Sequence, residues 1–344
     1  MPHLVALEKV EKTTLQLGYI PLLDCIALLW AKHRGFFDEL GLNVNLVKEA
    51  SWASLRDRLA FGLLDAAHCL SAMLPAAAVG TDQIGIPLQT PLVLSENRAF
   101  ISLSQKLCYA LNIQKQDSAE SSAKKITDYI HHNQNISFAH VFQHSIHHYC
   151  LREWLTLADP KLAQSIQLRT LPPPYMVEAM SNHFIDGFCV GEPWNTQAEL
   201  EGLSHMICSS QQIIPNVADK VLAVTQEWAK QNPKTLIALT RAIAKAQQEL
   251  QQLEDFSAVW QLLIEFNVIQ FQCSSDIHVE KYFTIQNIIR HFVQGNAEPK
   301  AKDFEWLFQQ MYKWSGADHT TQAYTEQARA CLLLEIHQAA ASQL

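Results

Sequence analysis

The sequence predicts an α/β protein of two lobes with a ligand cleft between them. Three observations carry that prediction. The chain has 344 residues, and at about 150 residues per domain that length suggests two domains or lobes. Strand-like and helix-like segments alternate along the first part of the chain, the signature of a parallel α/β sheet. The same alternation resumes near residue 135, after a polar interruption at 112–125.

The elements follow in order. TLQLGYI (14–20) has the period-two character of a strand. Pro21 to Asp24 turn the chain. CIALLWAKHRGFFDEL (25–40) is helical, and Gly41 supplies its stop. NVNLVKEA (43–50) is the second strand. SWASLRDRLAFG (51–62) opens on a serine suited to capping a helix and ends on glycine. LDAAHCLSAM (64–73) is a third strand running into a turn or helix. The strands of 86–104 lead toward the second lobe, and NIQKQDSAESSAKK (112–125) reads as a surface loop and helix start. In the second lobe NISFAHV (135–141) is a strand, HSIHHYCLREWLTLA (144–158) a helix and SIQLRTLP (165–172) a strand. YMVEAMSNH (175–183) is a helix, and IDGFCVGEPW (185–194) a strand ending in a loop. From about 200 the chain returns, and from 226 onward it is mostly helical. No repeat of 20–50 residues is visible. Ligands of open α/β sheets bind at the carboxyl ends of strands, which in a two-lobed protein face the cleft.

Composition removes several classes of function. Apolar residues make up 48% of the chain, enough for a sizeable core, and charged residues only 17%. A highly charged disordered chain and a long coiled coil are excluded. The net charge is −8, from 26 basic and 34 acidic residues. Direct nucleic-acid binding needs the opposite balance. No apolar run reaches the ~18 residues of a membrane span. Near the N-terminus Glu8, Lys9, Glu11 and Lys12 interrupt the apolar stretch that a secretory leader needs, so a cytoplasmic location is expected. The eight cysteines (25, 69, 108, 150, 189, 208, 273 and 331) form no CxxC pair and sit in apolar runs. They read as free buried thiols.

Enzyme signatures are missing. GxSxG, GxxxxGK[ST] and GxGxxG are not found, and nothing pairs Asp186 with Glu192 as acid and base. His144, His147 and His148 share a helical face, but no HExxH or carboxylate-rich segment turns them into a metal site. His68 reads as a satisfied buried histidine. Trp260, Phe266, Trp306 and Trp314 read as core of the C-terminal helices. No catalytic residue, cofactor or metal is expected.

Five segments together carry a resemblance: GYIPLLDCIALLWAKHRGFFDELGL, KEASWASLRDRLAFGLLDAAH, PPPYMVEAM, DGFCVGEPWN and ADKVLAVTQEWAKQNP. In these the chain is similar to the nitrate-binding proteins of bacterial ABC transporters, and to their bicarbonate-binding cousins. It also resembles the cytoplasmic nitrate/nitrite sensors of the NasS type. The likeness runs from about residue 14 to at least 235. It implies the type 2 periplasmic-binding-protein fold, with 13–104 and 205–344 as lobe 1 and 105–204 as lobe 2. It also implies a nitrate or nitrite pocket formed by Trp52, Gln105, His147, Gly191 and Lys220. The bicarbonate-binding relatives have an acidic residue where this chain has Lys220, so the lysine favours nitrate or nitrite.

The chemistry of the ion agrees. Nitrate is a planar, weakly basic monoanion with three acceptor oxygens. Buried, it needs donors and positive charge, or its burial costs several kcal/mol. Lys220 supplies charge, and His147 and Gln105 supply directed N–H groups. Gly191 lets the backbone approach, and Trp52 offers an indole N–H or a flat wall. The resemblance further implies a partner, an RNA-binding antiterminator of the ANTAR type. The ligand-free sensor sequesters this partner and releases it on binding the anion. Two rivals stand beside this reading: the solute-binding component of an ABC transporter, and an enzyme on the same fold akin to the pyrimidine-forming relatives of thiamine metabolism.

Overall fold

The computed structural model describes residues 9–132, 135–293, 295–315 and 324–344. Residues 1–8, which include Glu8 and part of the stretch read for a leader, lie outside the described residues.

Among the described residues ten strands divide equally between two sheets. The first holds β1 (Thr14–Tyr19), β2 (Asn43–Lys48), β3 (Ala66–Leu70), β4 (Leu88–Glu96) and β10 (Ala218–Thr225) in the order β2-β1-β3-β10-β4. The second holds β5 (Phe100–Ser104), β6 (Phe138–His140), β7 (Leu168–Thr170), β8 (Gly187–Val190) and β9 (Ser204–Ser209) in the order β7-β6-β8-β5-β9. In each sheet three strands pair in parallel, and one strand, β10 or β5, is antiparallel to both of its neighbours. The first three strands are parallel, as their alternation with helices suggested, and the antiparallel β10 and β5 make both sheets mixed. Both β5 and β9 belong to the second sheet. The chain passes between sheets through 97–99 and again through 210–217, a few residues from the expected boundaries at 104–105 and 204–205.

Local chemistry accounts for most elements. The helix expected over 25–40 is two helices, Ile26–His33 and Phe36–Glu39, because Gly35 between them adopts φ 72°. Such a left-handed residue ends one helix and suits glycine. Ser51 caps the helix Trp52–Ala60, its Oγ accepting from Ser54 N at 3.1 Å. Ser145 caps Ile146–Thr156 in the same way, accepting from His148 N at 3.1 Å. The long helix Pro233–Gln252 buries Leu236, Leu239, Ile243, Ala246 and Leu250. That helical stripe packs against Ile26–His33, and each fully buried large apolar side chain contributes roughly 1.5–3 kcal/mol. All eight cysteines are free and buried. No helix among the described residues is long and apolar enough to cross a membrane.

The lobes meet at several points around one cleft. Leu23 N donates to Glu192 O at 2.9 Å. The Arg56 guanidinium lies 5.6 Å from the Phe142 ring centre. The C-terminal helix Ala301–Ser315 reaches the second lobe at Ile146–Thr156. There Lys313 Nζ is 2.5 Å from Glu153 Oε1, and Trp306 meets Tyr149 edge-on with centroids 6.3 Å apart.

Candidate functional site

The site begins on β10. Adjacent residues of a regular strand point to opposite faces, yet Asp219 and Lys220 meet: Lys220 Nζ is 2.7 Å from Asp219 Oδ2. The register of β10 against β4 shifts on both sides of Lys220. Such irregularities re-aim side chains, and here they let both reach the cleft. Lys220 is fully buried. A second carboxylate, Asp24 on the turn after β1, places Oδ2 3.1 Å from Nζ. Asp24 also receives Ser95 Oγ at 3.2 Å and faces His68 Nε2 at 2.9 Å.

Two aromatic groups complete the enclosure. Trp52 is the first residue of its helix and is buried, with Lys220 Nζ 5.8 Å from its ring centre. Its Nε1 has no hydrogen-bond partner. His147 is the second residue of its helix, on the other lobe, and is fully buried. Neither of its ring nitrogens has a hydrogen-bond partner. Its Nε2 is 4.0 Å from Asp219 Oδ2. A methyl group built on Gly191 would lie 3.8 Å from that Nε2, so glycine keeps this wall open. Trp52 and His147 thus stand at the N-terminal ends of two capped helices, one from each lobe. Helix N-termini carry partial positive charge.

The electrostatics of the cluster follow from burial and from one lysine. Burial alone would lower the Lys220 pKa, but Asp219 and Asp24 outweigh it and leave it raised. Burial opposes ionisation of Asp24, but Lys220 and His68 hold it well below the usual carboxylate range. Asp219 is pushed up to about 6, by burial and then by Asp24, against the pull of Lys220. His147 is held well below the ordinary histidine value by burial and by Lys220. His68 is lowered by burial against the pull of Asp24.

Four of the five sequence-predicted residues therefore converge: Trp52, His147, Gly191 and Lys220. Gln105 does not. β5 runs antiparallel to β8, with Phe100 opposite Val190 and Leu103 opposite Gly187. The end of β5 that leads into Gln105 is thus remote from Gly191, about 17 Å along the strand. Gln105 is exposed, and its backbone N–H donates to Leu203 O at 3.0 Å. It lines a surface groove with Lys106, Tyr109 and His205.

Asp24, His68 and Asp219 complete the cluster without having been singled out as ligand groups. The sequence holds a signal for one of them, since Asp219 precedes the lysine inside an otherwise apolar strand. His68 departs from the reading of a satisfied core histidine: its Nε2 is bonded, but its Nδ1 has no partner. The other histidines separate. His148 Nδ1 is 3.4 Å from His140 Nε2, and His144 lies in the loop before the helix. Among the described residues no group of three or more His, Cys, Asp or Glu is placed to hold a metal ion.

Beside the cluster, Asp24, Gly191, Glu192, Asp219, Glu96 and Arg98 line a cavity of about 10 Å³, room for about one water. The closed lobes enclose the polar groups tightly. The arrangement gathers a buried ammonium and unpartnered ring nitrogens from both lobes around the cleft.

Comparison with known proteins places the chain in a family. The model of the NMT1-like family matches residues 8–264. The chain is 31% identical over 324 residues to the nitrate import ATP-binding protein NrtC of Synechocystis sp., covering 90% of this chain and 47% of that protein. It is 35% identical over 245 residues to the bicarbonate transport ATP-binding protein CmpC of the same organism, covering 70% of this chain and 36% of that protein. The chain thus spans about half or less of these relatives' own length. Among solved structures, the periplasmic nitrate-binding protein NrtA from Synechocystis superposes with a TM-score of 0.81 at 23% identity, covering 97% of this chain and 90% of that one. The fold is that of the type 2 periplasmic-binding proteins.

Proposed function

The chain belongs to the NMT1-like family, and from that premise we propose that it binds nitrate or nitrite between its lobes as a sensor rather than an enzyme. One observation carries the reading. Lys220 is a fully buried cation, and beside it the indole N–H of Trp52 and the ring of His147 have no hydrogen-bond partners. Buried polar groups without partners cost about 1–3 kcal/mol each, and a planar oxyanion accepting from them removes that cost. The names of the relatives point the same way, since they concern nitrate and bicarbonate. Lys220 favours nitrate or nitrite over bicarbonate.

Closure of the lobes is the mechanism. Trp52 and Lys220 belong to one lobe and His147 and Gly191 to the other, so only the closed form presents all four. An anion that binds the closed form better shifts the population toward it and changes the outer surface. The reading extends to a cytoplasmic location and to a protein partner, an RNA-binding antiterminator of the ANTAR type. Ligand-free protein holds the partner and anion binding releases it. Support for the partner comes from the sequence resemblance to NasS-type sensors. A net charge of −8 suits a chain that leaves RNA contact to its partner. A second reading, the solute-binding part of a nitrate importer, draws on the transport names of the relatives.

Equilibrium titration with nitrate, nitrite, bicarbonate and sulfate tests the ligand. Saturable binding of nitrate or nitrite supports the reading, and binding of neither removes it. Co-purification with the candidate antiterminator tests the partner. A complex that persists at saturating nitrate and nitrite contradicts release.

A further inference from the structure

The charge at the centre of the cleft is overmatched. Lys220 brings one positive charge, while Asp24 and Asp219 bring two negative ones within 3.1 and 2.7 Å of the same Nζ. With both acids ionised the trio is already net negative. A nitrate ion, which has no hydrogen to donate, adds a further negative charge beside two carboxylates in a buried site.

The two acids are not equivalent. Asp24 is fixed as a carboxylate by Lys220, by the Ser95 hydroxyl and by His68. Asp219 is bonded through one oxygen only: Oδ2 accepts from Lys220, while Oδ1 is buried without any partner. An ionised carboxylate is purely an acceptor, but a protonated one donates. A proton on Asp219 removes the excess charge and turns an unmatched acceptor into a donor facing the cleft.

Building on the proposed anion site, we propose that Asp219 is a specificity-determining residue. It takes one proton from solvent when nitrate enters, and keeps its charge when the anion carries its own O–H, as bicarbonate does. In the first case the carboxyl O–H and the Lys220 ammonium both face the anion. In the second the ligand hydroxyl donates to the Asp219 carboxylate and the remaining oxygens accept from Lys220.

One other group around the cleft can take this proton: Glu192, raised by burial to about 7, whose uptake Asp219→Asn would leave in place. Burial keeps His68 and His147 neutral, and Lys220 beside them strengthens the effect. Among the groups lining the small cavity, Glu96 takes the Asn216 amide at 2.5 Å and faces Lys300 at 3.6 Å. Glu192 is held by the backbone N–H and hydroxyl of Thr196, and Arg98 donates to His291 O. Asp219 already stands near about 6 before any anion arrives, so little is needed to complete its protonation at neutral pH.

Calorimetric titration of the full chain tests the proposal, run from about pH 5.5 to about 8.5 in buffers of different ionisation enthalpy. Nitrate is expected to take up about one proton per ion at pH near 8, with Kd rising roughly tenfold per pH unit above the Asp219 pKa. Bicarbonate, titrated above pH 7.5, is expected to bind with no proton uptake. In Asp219→Asn the nitrate Kd should become flat with pH and proton uptake should vanish. Nitrate binding to the wild-type chain with no proton uptake and a flat Kd overturns the proposal alone. Uptake that persists in folded Asp219→Asn also overturns it. Failure of every anion to bind at any pH overturns it together with the anion reading. Should Asp219→Asn fail to fold, the wild-type proton count with nitrate against bicarbonate still decides.

Discussion

His147 Nε2 and Asp219 Oδ2 lie 4.0 Å apart across the boundary between the lobes. The histidine comes from the helix Ile146–Thr156 of one lobe and the acid from β10 of the other. Their approach makes the closed form a single polar cluster rather than two half-sites. It also leaves an imidazole fully buried with neither nitrogen bonded. That local cost is recovered only by something that accepts or donates hydrogen bonds in the cleft. Binding energy is thus concentrated in the closed form, the condition under which a ligand shifts a two-state equilibrium.

Gly191→Ala separates the fold from the site. A methyl group there meets Leu22 and His147 at 3.7 and 3.8 Å, ordinary contact distances. The variant should keep its unfolding midpoint within about a degree or two. It should lose roughly tenfold or more in nitrate affinity, because the methyl occupies the wall that faces the ion. Titration alongside thermal unfolding checks both halves; unchanged affinity would place the ion elsewhere.

Lys220→Met tests the central cation. It removes the partner of two buried carboxylates, and breaking a buried pair in this way costs about 3–5 kcal/mol. Urea unfolding should show a loss of that order, with the nitrate response abolished. Adding Asp24→Asn to Lys220→Met should recover part of the stability but none of the binding. A double variant no more stable than the single one would mean that the two groups are not energetically coupled.

Gln105→Ala should leave nitrate affinity within about a factor of two, since a surface change at an exposed position costs little. The glutamine shows where sequence reading ends. Trp52, His147, Gly191 and Lys220 were legible because each sits in a long ordered motif, and each is placed by a local cause: a capped helix start, a strand end, or an irregular stretch of strand. The motif around Gln105 is short. What removes it from the cleft is the antiparallel direction of β5, a pairing made only when β8 folds in beside it. Asp24 and His68 were hidden for a related reason. They lie 44 residues apart and form a pair only through the turn after β1 and the parallel pairing of β1 with β3. The first three strands, their parallel pairing and the helical C-terminal part followed from periodicity and caps.

Acid should destabilise the ligand-free protein. His68, His140, His144, His147 and His148 are all lowered, in each case by burial first, with His140 near about 4. The unfolded chain takes protons at these positions as the pH falls through about 6.5, while the folded chain does not. Their contribution is therefore present above that value and lost below it. Asp219 and Glu192 act in the opposite sense. Raised by burial to about 6 and about 7, they bind protons in the folded state before the unfolded state does. Asp303 is raised by burial in the same sense, and five histidines against three acids leave the histidines dominant. Stability by chemical denaturation should fall by a few kcal/mol between about pH 7 and pH 5; stability that rises over this range would contradict the buried neutral histidines.

The most direct measurement is thermal unfolding of the protein against nitrate, nitrite, bicarbonate, sulfate and chloride at matched ionic strength, beside Lys220→Met. At about a hundredfold over Kd a bound ion adds roughly 2.7 kcal/mol, a rise of a few degrees in Tm. The account predicts that rise with nitrate or nitrite, little change with chloride or sulfate, and no rise in Lys220→Met. A wild-type protein that gives no rise with either ion, or the same rise with chloride, would contradict an anion site at Lys220.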